Sequence, residues 1–206
     1  MIRYALVSAI AGMAIASSAT AAIVINEVDY DNIGTDTAEF IELFNPDATA
    51  QDLTGLSLVL FNGTSVYSTN GTFALSGSIP AGGYYVFGNV TPTNFDPTVN
   101  TDLIQNGSID GFGIYSGNAP TTATATNLVV GVVYEGRGGF PVEFELITVD
   151  DSTSVAGSLQ RDPSATSTFV LSNPPTPGQL NVVPEPTSLA LLGLGGLALA
   201  VRRRHR

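Results

Sequence analysis

The sequence predicts an all-β protein whose folded domain, residues 22–181, is an antiparallel β-sandwich of about seven or eight short strands. Short apolar segments recur at close intervals, and turn-forming pairs such as Asn62-Gly63 separate them. No run of ten or more residues in the domain has the periodicity of a helix. The length agrees, because about 160 residues make one domain of ordinary size with enough apolar surface for a core.

The predicted strands follow one another from the start of the domain. The first two, at 23–28 and 39–44, alternate apolar and acidic residues, which is the period of a half-buried strand. The third, at 56–61, runs through Asn62-Gly63 into Val66-Tyr67 and predicts a hairpin. Further strands are predicted at 84–87, 113–115, 128–134 and 144–148.

Residues 1–21 have the pattern of a secretory signal peptide, which we expect to form a short apolar helix. Arg3 gives the segment a positive start, and an apolar run follows it. Ala19 and Ala21 supply the small residues of an Ala-x-Ala cleavage site. The sequence therefore predicts that the domain is exported.

Residues 182–206 form a second terminal segment with its own pattern. The prolines of Val183-Pro184-Glu185-Pro186 interrupt the chain, because proline does not fit inside a helix or a central strand. Residues 187–201 are small and apolar and predict a helix of only about 22 Å, short for a bilayer core of about 30 Å. A basic tail, 202–206, follows with Arg202, Arg203 and Arg204. The positive-inside rule predicts that this tail stays in the cytoplasm, so the domain would lie on the opposite side of the membrane.

The charge of the domain is strongly negative. The chain has no lysine, and between the two terminal segments its only basic residues are Arg137 and Arg161, whereas every acidic residue except Glu185 lies there. Such a surface repels phosphate backbones and excludes nucleic-acid binding, and it favours cations or neutral polymers as partners. We expect Arg161 to have a structural role, paired with Glu39, Glu42 or a nearby aspartate.

Catalytic residue sets are nearly absent from the sequence. There is no cysteine, and the single histidine, His205, lies in the basic tail, so the domain has no Ser-His-Asp set. Glu143 and Glu145 lie two apart on a predicted strand and would project from one face, as the paired carboxylates of a glycosidase do. The alternative interpretation is an ordinary solvated strand face.

A calcium site is the better candidate for a functional site in the domain. Asp29, Asp31, Asp36 and Glu39 lie close together in and around the loop between the first two predicted strands, and Asn32 adds another oxygen. Calcium binds six to eight oxygens of this kind, although the spacing differs from that of an EF-hand loop. A solvated acidic loop is the alternative, and we expect no other cofactor.

Landmark segments of the domain resemble the lamin-tail family. They are Ile25-Asn26-Glu27-Val28, residues 39–46 (EFIELFNP), residues 52–58 (DLTGLSL), residues 157–163 (GSLQRDP) and residues 176–181 (TPGQLN). The middle, as in residues 104–111 (IQNGSIDG), resembles the version found beside bacterial extracellular nucleases. Leu56 stands where the family often has tryptophan. The resemblance implies an immunoglobulin-like sandwich and implies no reaction.

Residues 183–206 resemble the PEP-CTERM sorting signal of Gram-negative bacteria, with the Pro-Glu-Pro motif, apolar helix and arginine cluster in the same order. The resemblance implies that an exosortase-type membrane protease recognises Val183, Pro184, Glu185 and Pro186 and removes the helix and tail. Before processing, the precursor would be anchored in the inner membrane through the helix. Afterwards it would reach the cell surface or the extracellular matrix.

Together these observations favour a non-enzymatic surface or matrix module that binds extracellular polysaccharide or a surface protein. Two alternatives remain: a carboxylate-based hydrolase of extracellular polymer, and a calcium-stabilised adhesin.

Overall fold

The computed structural model describes residues 23–67, 71–98, 101–151, 156–162 and 169–182. The predicted signal peptide with Ala19 and Ala21 lies outside the described residues, and so do the sorting residues, helix and basic tail predicted within 183–206. Within the described ranges, no helix has the length and apolar character needed to cross a membrane.

Thirteen strands, numbered in chain order, make up the regular structure of the described residues, rather than the seven or eight predicted from the sequence. They are β1 (Val24–Asp29), β2 (Phe40–Phe44), β3 (Gln51–Asp52), β4 (Leu56–Asn62), β5 (Ser65–Val66), β6 (Thr72–Ala74), β7 (Ser78–Ile79), β8 (Tyr84–Gly88), β9 (Asp110–Ser116), β10 (Leu128–Tyr134), β11 (Glu145–Leu146), β12 (Ser158–Arg161) and β13 (Phe169–Ser172).

The first sheet has the strand order β13-β12-β1-β2-β8, and each neighbouring pair in it is antiparallel. Its register places Val28 of β1 opposite Ile41 of β2 and Leu159 of β12. All three side chains are buried and belong to the same apolar core. A register shift between Ile25 and Glu27 marks a bulge in β1.

The second sheet has the order β11-β10-β9-β4-β5, with β6 beside β4. The predicted hairpin at Asn62-Gly63 is confirmed, because β4 and β5 pair with Phe61 opposite Val66. One pair departs from the antiparallel prediction: β11 lies parallel to β10, with Glu145 opposite Val132. Strands β3 and β7 form a separate two-stranded ribbon.

The two sheets face each other across one apolar core. Alternate residues of each central strand point into it, as the two-residue period of a strand requires. The first sheet contributes Ile25, Val28, Ile41, Leu43, Phe87 and Leu159, and the second contributes Leu58, Leu60, Phe112, Ile114, Val132 and Tyr134.

The outer face of the second sheet is also buried, under the segment that follows β10. Phe140 and Phe144 of that segment pack edge-on against Phe61 of β4, at ring-centroid distances of 5.9 and 6.1 Å. Gly131 of β10 leaves room for this packing, since a Cβ there would lie 2.7 Å from the Phe144 ring. Burial on both faces explains why β4 and β10 are nearly continuous apolar runs.

The structure confirms the all-β sandwich, but the prediction that the first two strands are half-buried is wrong. Glu27 of β1 and Glu42 of β2 point away from the core, as the alternation predicts, yet both are fully buried. Another part of the chain covers this outer face of the first sheet.

Candidate functional site

The four candidate calcium ligands lie around the loop between β1 and β2, and hydrogen bonds to protein groups hold Asp29, Asp36 and Glu39. Asp29, at the end of β1, accepts a hydrogen bond from the Asn32 amide at 2.6 Å. Asp36 accepts one from the Asn32 backbone at 2.8 Å and one from the Asn106 side chain at 3.1 Å. These bonds organise the loop between β1 and β2.

Glu39 is turned away from that loop and into the protein. Its carboxylate accepts the backbone N–H groups of Leu103 and Ile104 at 2.5 and 3.1 Å and so anchors the segment before β9. Burial raises the pKa of Glu39 to about 8, against the opposing effect of these two hydrogen bonds. Burial, followed by the negative charge of Asp151, likewise raises the pKa of Asp29 to about 8.

Across the described residues, no three carboxylate, histidine or cysteine side chains converge in a geometry that would hold a metal ion. In the described structure Glu39 does not join Asp29, Asp31 and Asp36, because both of its carboxylate oxygens are bonded to backbone N–H groups. The calcium site stays a prediction.

An open cleft of about 550 Å³ lies next to this loop. Four acidic residues line it, namely Asp31, Glu135, Asp150 and Asp151. The segment that runs on from β11, residues 147–149, forms another part of its wall. Beside it, the Tyr30 and Tyr134 rings stack at 4.2 Å, and Asp151 is tied to Tyr30, accepting its backbone N–H at 3.0 Å. Burial and the nearby charge of Asp150 raise the pKa of Glu135. Four carboxyl groups thus line the cleft, and the raised pKa of Glu135 favours its neutral form.

The paired carboxylates proposed for hydrolysis do not form the predicted arrangement. β11 begins only at Glu145, and Glu143 lies in the exposed turn before it, so the two do not share a strand face. Glu145 is instead paired with Arg161 at 2.6 Å. The structural observations give no support to a two-carboxylate active site at these positions.

The expected partner of Arg161 was wrong, although its structural role is confirmed. Arg161 contacts neither Glu39 nor Glu42 in the hydrogen bonds of the structure; both of its terminal nitrogens bond Glu145, at 3.2 and 2.6 Å. Its Nε bonds the Ile25 carbonyl at 2.7 Å, and the guanidinium lies 4.5 Å from the Phe169 ring centre. Because Arg161 lies on β12 and Glu145 on β11, the pair ties the two sheets together.

Sequence reasoning missed a row of buried polar side chains on the outer face of the first sheet. Glu42 of β2, Glu27 of β1 and Gln160 of β12 stand side by side in register. Each is completely buried, which is rare for carboxylates unless their acceptor atoms are bonded. The sequence signal for this row was the presence of Glu27 and Glu42 within two apolar strands. That pattern is equally typical of a strand face that is exposed to solvent.

The row is covered by residues 174–182, which we call the C-terminal latch. Glu27 accepts the backbone N–H and the hydroxyl of Thr176 at 2.8 and 2.7 Å, and Glu42 accepts the Gly178 N–H at 2.5 Å. Gln160 accepts the Val182 N–H at 2.8 Å. Burial is the main cause that raises the pKa of Glu42, to about 7. The row thus binds the last described segment of the chain along its length.

The fold and this row define the class of the protein: a small β-sandwich module closed by its own C-terminal segment. The chain belongs to the Lamin Tail Domain family, whose model matches residues 16–153. A PEP-CTERM protein-sorting motif matches residues 182–204, beginning at the last residue of the latch. No curated protein and no solved structure matches the chain.

These two matches carry the functional information. The PEP-CTERM motif marks an exported protein that exosortase, a membrane protein, processes and that ends on the cell surface. The matched domain is a β-sandwich and the matched motif a sorting signal, so neither is a catalytic family.

Proposed function

We propose that the protein is a non-catalytic module of the cell surface or extracellular matrix, which binds an extracellular polysaccharide or a surface protein. The observation that carries the proposal is the combination, in one chain, of a β-sandwich of the Lamin Tail Domain family and a PEP-CTERM sorting motif. The precursor is held in the inner membrane by the apolar segment at 187–201, and an exosortase-type protease acts at Val183, Pro184, Glu185 and Pro186.

The use of the polar groups supports a non-catalytic domain. The buried carboxylates Glu27 and Glu42 hold the C-terminal latch, Glu39 holds the segment before β9, and Glu145 holds Arg161. A catalytic carboxylate instead needs an open approach to substrate and a free proton-transfer atom. These groups serve the fold.

The proposal has a direct test in the producing cell. A tagged full-length protein is followed by intact mass and by fractionation, beside a version that ends at Val183. We expect the full-length protein to lose its apolar segment and basic tail and to appear outside the cell, while the shortened version is mislocalised. A full-length protein that keeps its tail and stays in the inner membrane would refute the processing step.

The binding role is tested on the released protein. Immobilised protein is incubated with the producing strain's own extracellular polymer and with its surface-protein fraction, and bound material is measured by carbohydrate assay and mass spectrometry. Specific retention of either class supports the module. Retention of neither, together with polymer cleavage, would favour a hydrolase.

A calcium-stabilised adhesin is the second candidate, favoured by the acidic end of the sandwich. Asp29, Asp31 and Asn32 line a cavity of about 300 Å³, and Asp31 also borders the acidic cleft. Oxygen donors of this type suit calcium. Isothermal titration with CaCl₂, repeated on Asp31→Asn, distinguishes a specific ion from general charge screening.

A further inference from the structure

The end of the C-terminal latch exposes two aliphatic side chains in an alternating pattern. Leu180 is 72% exposed and Val182 is 46% exposed, whereas Asn181 between them is only 7% exposed. Alternate residues of an extended chain point to opposite sides. Leu180 and Val182 therefore face away from the domain while Asn181 faces into it.

The backbone that carries these side chains is fixed to the first sheet. The Asn181 side chain donates to the carbonyls of Arg161 and Asn26 at 2.7 and 3.1 Å. Val182 donates its N–H to Gln160 at 2.8 Å, and its carbonyl accepts the Ser172 hydroxyl at 2.8 Å. The two exposed side chains are thus held in one orientation before any partner arrives.

The sorting motif follows without a spacer. Its match begins at Val182, and Pro184 is two residues further on. At about 3.3–3.6 Å per residue, Pro184 lies at most about 7 Å along the chain from Val182 and about 14 Å from Leu180, so a protease that binds the Pro-Glu-Pro motif is within reach of both side chains. Proteins commonly bind an extended peptide by seating its alternate side chains in pockets, and a peptide already held in that shape loses less entropy on binding.

We propose that Leu180 and Val182 are a docking pair that extends the sorting motif into the folded domain and contacts an apolar surface of the processing protease. The inference rests on the exosortase-type processing described under the proposed function. Two side chains cover far less than the roughly 1,200 Å² that a stable interface between two copies of the chain buries. The membrane beside the predicted apolar segment is the other surface within reach, and the test below distinguishes it from the protease.

The test measures the rate of tail removal from the full-length protein in its own host. Pulse-labelled wild type is compared with Leu180→Ser, Val182→Ser and the double variant, and the cleaved fraction is followed by gel shift. The matched control is Val142→Ser, which changes an aliphatic side chain that is 80% exposed on a different segment. We expect the double variant to be processed about tenfold more slowly, from the loss of two apolar contacts, and the control to match wild type.

A second variant tests the fixed spacing. Inserting Gly-Ser-Gly-Ser after Val182 keeps both side chains and the motif but lengthens the chain between them, and we expect slower processing here too. Urea unfolding of each purified variant should match wild type, because Leu180 and Val182 point outward.

The outcomes separate this inference from the proposed function. Wild-type processing with an unchanged double variant overturns the docking pair alone. A double variant that leaves the membrane sooner but is cut at the wild-type rate identifies lipid as the contact and also overturns it. An uncut wild type overturns the proposed processing itself.

Discussion

Replacing Glu27 should reveal how much the buried polar row contributes to stability. The Glu27 carboxylate accepts the Ser158 hydroxyl at 2.5 Å, the Thr176 N–H at 2.8 Å, the Thr176 hydroxyl at 2.7 Å and the Gln160 amide at 3.3 Å. In Glu27→Leu these donors remain buried and lose their acceptor. Each unsatisfied donor costs about 1–3 kcal/mol, although the two hydroxyls and the amide can turn towards one another.

The Thr176 N–H cannot turn away, because its position is set by the backbone. We therefore expect Glu27→Leu to lower the free energy of unfolding by about 3–5 kcal/mol, the sum of the unsatisfied Thr176 N–H and the partly compensated side-chain donors. Glu27→Gln keeps one oxygen acceptor and a similar volume, so it should cost only about 1–2 kcal/mol. Relative to a typical total of about 5–15 kcal/mol, the leucine variant is close to the limit of folding.

Urea unfolding followed by far-UV circular dichroism measures the effect, since the chain has no tryptophan for fluorescence. With a slope of about 2 kcal/mol per molar urea, the midpoint should fall by about 1.5–2.5 M. Thr176→Val completes a double-mutant cycle, and its cost should largely vanish in the Glu27→Leu background. A leucine variant that unfolds within about 0.5 M of wild type would show that the row is not what holds the latch.

The remaining predictions concern protons, calcium and packing. Asp29 and Glu39 have folded pKa values of about 8 against ordinary values of 3.8 and 4.5, so the folded state binds more protons between these limits. Stability should therefore fall as pH rises from about 4 to about 8, and Asp29→Asn should flatten the dependence of the melting temperature on pH. The calcium hypothesis predicts a melting temperature that rises in millimolar CaCl₂ and returns with EDTA; an unchanged value in both would refute it. Gly131→Ala places a methyl group 2.7 Å from the Phe144 ring and should cost about 1–3 kcal/mol in urea unfolding, with Phe144→Leu partly restoring stability in the double variant.

The sequence allowed the strands with strong apolar patterns to be predicted, because burial between two sheets imposes that pattern directly. The hairpin at Asn62-Gly63 followed from turn chemistry in the same way. The short strands β3, β6 and β7 were missed because two or three residues carry no measurable period, and β12 and β13, of four residues each, were also not predicted as strands.

The polar row could not be predicted because the residues that bury it are remote in the chain. Thr176 lies 149 positions from the Glu27 that it covers. Alternation fixes which face of β1 carries Glu27, but it does not say whether water or another segment occupies that face. The ion pair of Arg161 was misassigned for a related reason, since its partner, Glu145, belongs to the other sheet.

The placement of the two arginines of the domain has a consequence for molecules crowded on a surface. Arg161 is bonded to Glu145, and Arg137 donates to the carbonyls of Pro141 and Phe144 at 3.0 and 2.9 Å. Neighbouring copies therefore meet mainly acidic groups on each other, and they repel over a Debye length of about 8–10 Å at physiological salt. A dense layer of such molecules would behave as a polyanion whose spacing and swelling follow the ionic strength outside the cell.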